Sequence, residues 1–331
     1  MGEVMAEQAI STRPIIRVKL PELGQPFWIT ISLLLISALM WVISPAFRTY
    51  DNLYNVSRNF AFIGIMALGE MLVIITGGID ISVGSVMGLG GIVSALVLQA
   101  GYPLVVGAGA GLLVALACGF INGWVSARLR ISSFVVTLGM LSVARSQALI
   151  LSNNKMVYKF GPDEKVYLAM GGGSLLGVPT VVFVMVVLAV VLGLALYYRA
   201  WGRHVYAVGG NENASRLTGL PVERIKISVF MLSALFSGIA AILLVGWLGS
   251  VTNALGVGYE LRVIAAAVIG GTDLMGGSGT CYGAIVGAAL IELVRNALLL
   301  AGIDPYWQGT FVGLVIVFAV LLERVRHRSS E

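Results

Sequence analysis

The sequence predicts an all-α fold, a polytopic membrane helical bundle of about ten transmembrane helices with some broken or short members. Three observations predict it. Hydrophobic residues make up 58% of the 331 and charged residues only 11%, whereas an ordinary soluble domain carries about 25% charged residues to face water. No Asp, Glu, Lys or Arg occurs from Ile81 to Ala127, Val166 to Tyr198, Ile227 to Tyr259 or Pro305 to Leu322, and a spanning helix needs about 20 mostly apolar residues. These runs must be helical, because lipid offers no partner for an exposed backbone, and the short alternating segments of a barrel are absent.

Hydropathy and breakers place the spans at roughly 27–44, 59–77, 81–99, 103–126, 131–151, 175–198, 226–248, 260–272, 281–301 and 308–323, the eighth being short. The first follows Arg13, Arg17 and Lys19 but is 18 residues long and closes on no small-x-small site, so it is expected to stay in the mature chain rather than leave as a signal peptide. An even count puts both termini on one side. With the N-terminus inside, inner segments hold thirteen basic residues (Arg13, Arg17, Lys19, Arg128, Arg130, Arg199, Arg203, Arg216, Arg224, Lys226, Arg324, Arg326 and Arg328). Outer segments hold six, Arg48, Arg58, Lys155, Lys159, Lys165 and Arg262. That bias predicts cytoplasmic termini. All six tryptophans, at 28, 41, 124, 201, 247 and 307, fall at span ends, where indole prefers the interface. The expected organisation is a cytoplasmic tail over 1–26, one transmembrane domain over 27–323 with an inner loop at about 199–225, and a cytoplasmic tail over 324–331.

Several chemistries are excluded. The net charge of +5 is spread over loops and reads as membrane orientation, so no nucleic-acid partner is expected. Cys118 and Cys281 sit in apolar stretches as packing residues. None of the five lysines follows a glycine, so there is no phosphate-binding loop, and His204 and His327 form no metal cluster. A membrane enzyme would need a nucleophile or metal constellation, and a channel a selectivity ring; neither is present. The chain is thus expected to bind no cofactor itself, and any ATP and magnesium would be used by a partner. The 42 glycines, many inside spans, read as close helix packing.

An internal echo is the first positive signal. Gly77-Gly78-Ile79-Asp80 precedes Gly84-Ser85, and Gly270-Gly271-Thr272-Asp273 precedes Gly277-Ser278, an offset of 193 residues. Glycine pairs break helices, Asp80 and Ser82 can cap the helix that follows, and Asp273 could do the same. The echo reads either as two tight capped turns at the inner surface or as two broken helices near a transport site. Among ionisable residues inside spans, Glu292 and Arg295 are spaced to pair on one face. Glu70 and Arg145 are candidates for lining or bracing a pathway. In the inner loop, Gly209 and Gly210 are expected to break the chain. Asn211 suits an N-cap, Glu212 the first turn and Ala214 to Thr218 its continuation, with Gly219 at the end and Pro221 blocking extension. Such a short helix, Arg216 included, suits docking into a groove of a cytoplasmic partner.

These residues resemble a known family. Ile75 to Ser85 (ITGGIDISVGS), Val136 to Gly139, Tyr206 to Asn211 with Thr218 to Leu220, and Val268 to Thr272 with Gly276 to Gly279 are similar to the motifs of ABC transporter permeases of the ribose, xylose and galactoside importer branch. The resemblance runs from about residue 50 to 320. It implies a membrane subunit of a binding-protein-dependent importer of a sugar or sugar-like molecule in the bacterial inner membrane. The implied partners are a second permease subunit (homodimer or heterodimer), a cytoplasmic ATP-binding subunit, and a periplasmic or lipid-anchored substrate-binding protein. It makes Gly209 to Leu220 the segment that contacts the ATPase, and it puts Asp80 and Ser82 on or beside the pathway, with Glu70, Thr137 and Asp273 as further pathway candidates. The second copy departs from the first, because Leu274-Met275-Gly276 stands where Ile81-Ser82-Val83 does. An ion-coupled secondary transporter of a small polar solute is the alternative, with Glu70 and Asp80 as its buried carboxylates.

Overall fold

The computed structural model describes residues 25–304 and positions 307, 309, 310, 313 and 314. Residues 1–24 of the expected N-terminal tail, most of the tenth span and the C-terminal tail, with their basic residues, lie outside these, while residues 25 and 26 begin the first helix. Twelve α-helices follow in order: α1 (Gln25–Ile43), α2 (Tyr50–Ile75), α3 (Val83–Gln99), α4 (Leu104–Arg128), α5 (Ser133–Leu151), α6 (Glu164–Gly172), α7 (Thr180–Tyr198), α8 (Ala200–Gly210), α9 (Glu212–Leu217), α10 (Val222–Leu248), α11 (Tyr259–Ile269) and α12 (Cys281–Leu300). Strands β1 (Ser174–Leu175) and β2 (Val178–Pro179) pair antiparallel ahead of α7.

Seven described helices are long and apolar enough to cross a membrane: α1, α2, α4, α5, α7, α10 and α12. The other two expected spans in this region are short helices, α3 with 17 residues and α11 with 11. α2 and α10 form the centre, with 89% and 78% of their apolar windows buried, whereas α1 is peripheral at 6%. Small residues set the close contacts. Gly119 and Gly123 of α4 lie against the backbone of Phe230 and Ile227 on α10, with room for no side chain, and Gly287 of α12 lies against the Ala266 carbonyl of α11.

Two boundaries differ from expectation for identifiable reasons. α2 starts at Tyr50, not near residue 59, capped by Thr49, which accepts the Asn52 N–H. Arg58 therefore lies inside the helix rather than in an outer loop. Its guanidinium sits 4.6 Å from the ring centroids of both Tyr54 and Trp247, which let a cation be buried there. α7 starts at Thr180, not residue 175, because Leu176 and Gly177 take positive φ and close the β1–β2 hairpin.

The ends of α2, α4 and α7 and the starts of α5, α10 and α12 gather on one side. Arg128 at the end of α4 bonds Glu223 at the start of α10 (2.7 Å), and Trp201 after α7 bonds Ser228 of α10 (2.8 Å). Arg128, Arg130, Arg199, Arg203, Arg216, Arg224 and Lys226 all belong to this basic side.

Candidate functional site: two interrupted helices above a capped surface helix

The first interruption lies between α2 and α3. α2 ends in a left-handed glycine, Gly77 (φ 75°), with Gly77 N–H donating to Ile74 and Gly78 N–H to Val73. The chain then turns back beside the helix it has left. Four successive backbone amides find side-chain acceptors: Ile79 N–H donates to Ser133 Oγ (3.1 Å), Asp80 N–H to Glu70 Oε1 (3.0 Å), Ile81 N–H to Thr137 Oγ1 (3.2 Å) and Ser82 N–H to Asp80 Oδ1 (2.9 Å). Ser82 Oγ donates to Asp80 Oδ1 (2.6 Å) and accepts from Asn122 Nδ2 (2.9 Å). Non-helical backbone is tolerated at membrane depth only when protein satisfies it in this way.

Depth follows from the same bonds. Asp80 is level with Glu70, five residues before the end of α2, which at 1.5 Å per residue is about 7 Å in from that end. The break is therefore re-entrant, and α3 can reach the far side with 17 residues. Asp80 does cap the approach to α3, while Ser82 occupies the N-cap position without a side-chain cap bond, its hydroxyl being held by Asp80. Glu70, Asp80, Ser82 and Thr137 are all buried here; they join α2, the break, α4 and α5 into one polar knot.

The second interruption is the sequence echo with a shift. α11 ends on Gly271 (φ 93°), the second glycine of its pair, where α2 uses the first. Asp273 Oδ1 accepts the N–H of Met275 (2.8 Å), as Asp80 accepts that of Ser82. The aspartate turn is thus preserved, but Asp273 is only part-buried and Met275 is exposed. The expectation that Asp273 caps the next helix is corrected. Five residues of Gly-rich loop follow Met275 before α12, whose N-cap is Thr280, accepting from Gly283 N–H (3.0 Å).

The two interrupted helices converge. The connection before α11 lies along α3, with Gly256 against Gly84 and the Leu255 carbonyl against Gly88. Arg145 of α5 holds that connection, donating to the carbonyls of Asn253 (2.9 Å) and Leu255 (2.8 Å); it is a brace. α11, 11 residues long, covers about 16 Å, roughly half a bilayer core. In its first turn Glu260 lies against Gly84, with Oε2 buried and without a hydrogen-bond partner among the described residues. Sequence reasoning did not single out Glu260; its signal was a lone carboxylate just past Gly258 at the head of an apolar run. Glu292 and Arg295 form the expected pair on α12, Arg295 Nε to Glu292 Oε2 being 2.7 Å.

α5 contributes a face that the sequence did not flag. The centre of its exposed arc is Val135, Gly139, Ser142 and Ser146, flanked by Leu138 and Leu149 on one edge and Val143 and Ile150 on the other. Exposed hydroxyls mid-span are poorly matched to lipid.

On the basic side α9 matches its sequence reading closely. Asn211 Oδ1 accepts Ala214 N–H (2.9 Å). Gly219 is left-handed (φ 81°), its N–H donating to Arg216 and that of Leu220 to Ser215. Glu212 accepts from Arg216 within α9 (2.8 Å) and joins α9 to α10 by accepting from Lys226 (2.5 Å). Burial raises the Glu212 carboxyl's pKa, but those two cations outweigh it and hold the carboxyl below its ordinary range. The expected break at Gly209 and Gly210 is corrected: they are the last turn of α8. Gly209 is glycine because any Cβ there would overlap the Ile75 carbonyl at the end of α2, and Ile75 O also accepts Gly277 N–H (2.8 Å). The ends of α2 and α8 and the second Gly-rich loop thus meet beneath the first interruption. Ala214 is exposed, and Leu217 is 89% exposed at the tip of α9. Among the described residues no group of three or more His, Cys, Asp or Glu could hold a metal ion.

Residues 52–320 match the family described as branched-chain amino acid transport system, permease component. Escherichia coli K12 ribose import permease protein RbsC is 37% identical over 294 residues, covering 88% of this chain and 92% of that protein. The L-arabinose transport system permease protein AraH of the same organism is 34% identical over 307 residues, covering 92% and 93%. A solved metal-chelate type ABC transporter in an inward-facing conformation is 15% identical, with a TM-score of 0.49 over 90% of this chain and 98% of that one, too distant a likeness to argue from.

Proposed function

We propose a function from one premise: the chain belongs to the family of transport permeases whose description is the permease component of a branched-chain amino acid transport system. Within that family its similarity is to sugar permeases, over about nine-tenths of the chain. The chain is the membrane subunit of an ATP-driven importer for a sugar or sugar-like molecule, multi-pass in the bacterial inner membrane, and it hydrolyses no ATP itself. Its partners are a cytoplasmic ATP-binding subunit, a substrate-binding protein and a second permease subunit.

The observation that carries the reading is α9. A two-ended cap stabilises a six-residue helix that would not persist alone, and the pairs of Lys226 with Glu212 and of Arg216 with Glu223 fix it to α10 with Leu217 facing outward. This is the design of a docking element, and it supports the ATP-binding subunit seating here, with the basic side and both termini cytoplasmic. The Gly139, Ser142 and Ser146 stripe of α5 is the face toward the second permease subunit and the pathway. The knot of Glu70, Asp80, Ser82 and Thr137 positions α3 at that pathway, with Asp273 holding the second turn.

The test is uptake of labelled ribose and arabinose into proteoliposomes that contain this permease, its ATP-binding subunit and its binding protein. Uptake that requires ATP and ignores an uncoupler is expected; uptake without the ATP-binding subunit that collapses with an uncoupler would overturn the reading in favour of ion coupling. Gly219→Pro is expected to abolish ATPase association while leaving the chain inserted, since proline can adopt neither φ 81° nor the N–H bond to Arg216.

A further inference from the structure

A cavity of about 370 Å³ opens on the basic side between the start of the first interruption, the α4–α5 turn and α9. Its walls include Gly77 and Gly78, Arg130, Ser132, Glu212, Arg216 and Lys226. Three cations, Arg130, Arg216 and Lys226, face Glu212 in the wall, and Arg216 also lies 3.9 Å from Glu223, which binds Arg128. Glu212 receives Arg216 on Oε1 and Lys226 on Oε2, while Arg130 makes no ion pair among the described residues. Arg130 is also held at φ 57°, a conformation unfavourable to a side chain of its size. Four cations, Arg128, Arg130, Arg216 and Lys226, thus meet two carboxylates, Glu212 and Glu223, an excess of two positive charges at the cavity. The first turn of α5, whose N-cap Ser132 makes no side-chain cap bond, adds the positive end of a 19-residue helix. Hydroxyls and an amide complete the wall at Ser126, Ser133 and Asn213.

We infer that this cavity binds a soluble phosphorylated metabolite of pentose-phosphate size and that the ligand restrains transport. Charge selects the class: a phosphate monoester carries roughly two negative charges and several acceptor oxygens near neutral pH. The hydroxyl and amide lining suits a polyol attached to it, and the volume falls in the range of small-molecule sites. Position gives the effect. The ligand would touch α9 and the Gly77-Gly78 turn together, so it would favour the arrangement of these two elements seen here over any in which they separate. The inference rests on the importer reading for its logic: sugar delivered to this side is the substrate of a phosphotransfer reaction, and the phosphorylated product accumulating there would report supply.

The test uses the full-length permease in phosphatidylcholine nanodiscs, titrated calorimetrically with ribose 5-phosphate, inorganic phosphate and ribose. Ribose 5-phosphate is expected to bind saturably and ribose not at all. Arg130→Gln is expected to weaken it at least tenfold, with partial rescue by Arg130→Lys. In the reconstituted importer, ribose 5-phosphate enclosed on the ATP side is expected to slow uptake several-fold, and Arg130→Gln to relieve this. No saturable binding, or binding indifferent to Arg130→Gln in a variant whose thermal unfolding is unchanged, would overturn the site. Displacement by phosphatidylglycerol nanodiscs would assign the cavity to a lipid headgroup and overturn the soluble ligand. Binding without an effect on uptake would overturn the restraint. If saturable binding held in a chain that moved no sugar, the importer reading would fail and the phosphate site would stand.

Discussion

At the scale of single residues, the re-entrant break stands on a few acceptors, each serving one amide. Thr137 Oγ1 takes the Ile81 N–H and donates to the Ile79 carbonyl (3.3 Å). Thr137→Val keeps the volume and removes the acceptor, leaving the part-buried Ile81 amide unpaired at a cost of about 1 kcal/mol or more. A lower thermal unfolding midpoint in detergent is expected for Thr137→Val, with Thr137→Ser near wild type. Gly209→Ala tests the contact beneath the break. Its Cβ would overlap a backbone oxygen rather than a flexible side chain, so the ends of α8 and α2 must move apart. ATP-driven uptake is expected to fall at least tenfold while membrane insertion, measured by fractionation, is retained.

At the scale of elements, α9 depends on its caps and its ion pairs. Asn211→Ala removes the side-chain acceptor of Ala214 N–H and should cost about 1 kcal/mol of local stability, read as faster hydrogen exchange over residues 211–218. The Glu212 carboxyl is held below its ordinary range by Lys226 and Arg216. A depressed folded-state pKa contributes stability that is present above the unfolded value, about 4.3, and lost as pH falls through the folded one. Protection of the α9 amides, the intrinsic exchange rate at each pH divided by the observed one, should therefore be unchanged between pH 7 and 5 and fall below about pH 4; Glu212→Gln should remove that acid step. Loss of protection already at pH 6 would place the titration elsewhere.

At the scale of the whole molecule, the role proposed for the α5 stripe predicts which surface meets water. In a background with Cys118 and Cys281 replaced by serine, Ser142→Cys and Ser146→Cys are expected to react with a water-soluble maleimide. Leu113→Cys, on the exposed apolar face of α4, is expected to stay unlabelled. Equal protection of all three positions would mean that the stripe does not line a water-filled pathway.

The fold class, the path of most spans and both caps of α9 were legible in the sequence because each depends on neighbouring residues: apolar run length, a glycine at a left-handed position, an asparagine three residues from the amide it receives. The sequence by itself also marked both interruptions through their glycine pairs and aspartates. Only the tertiary structure decided the depth of the first, because that is set by Glu70, Ser133 and Thr137 receiving amides from another segment. It also decided that Gly209 ends a helix against Ile75, that Arg58 is buried between two rings, and that Glu260 meets Gly84. These are contacts between residues distant along the chain, and periodicity and local propensity carry no record of which distant partner a side chain finds.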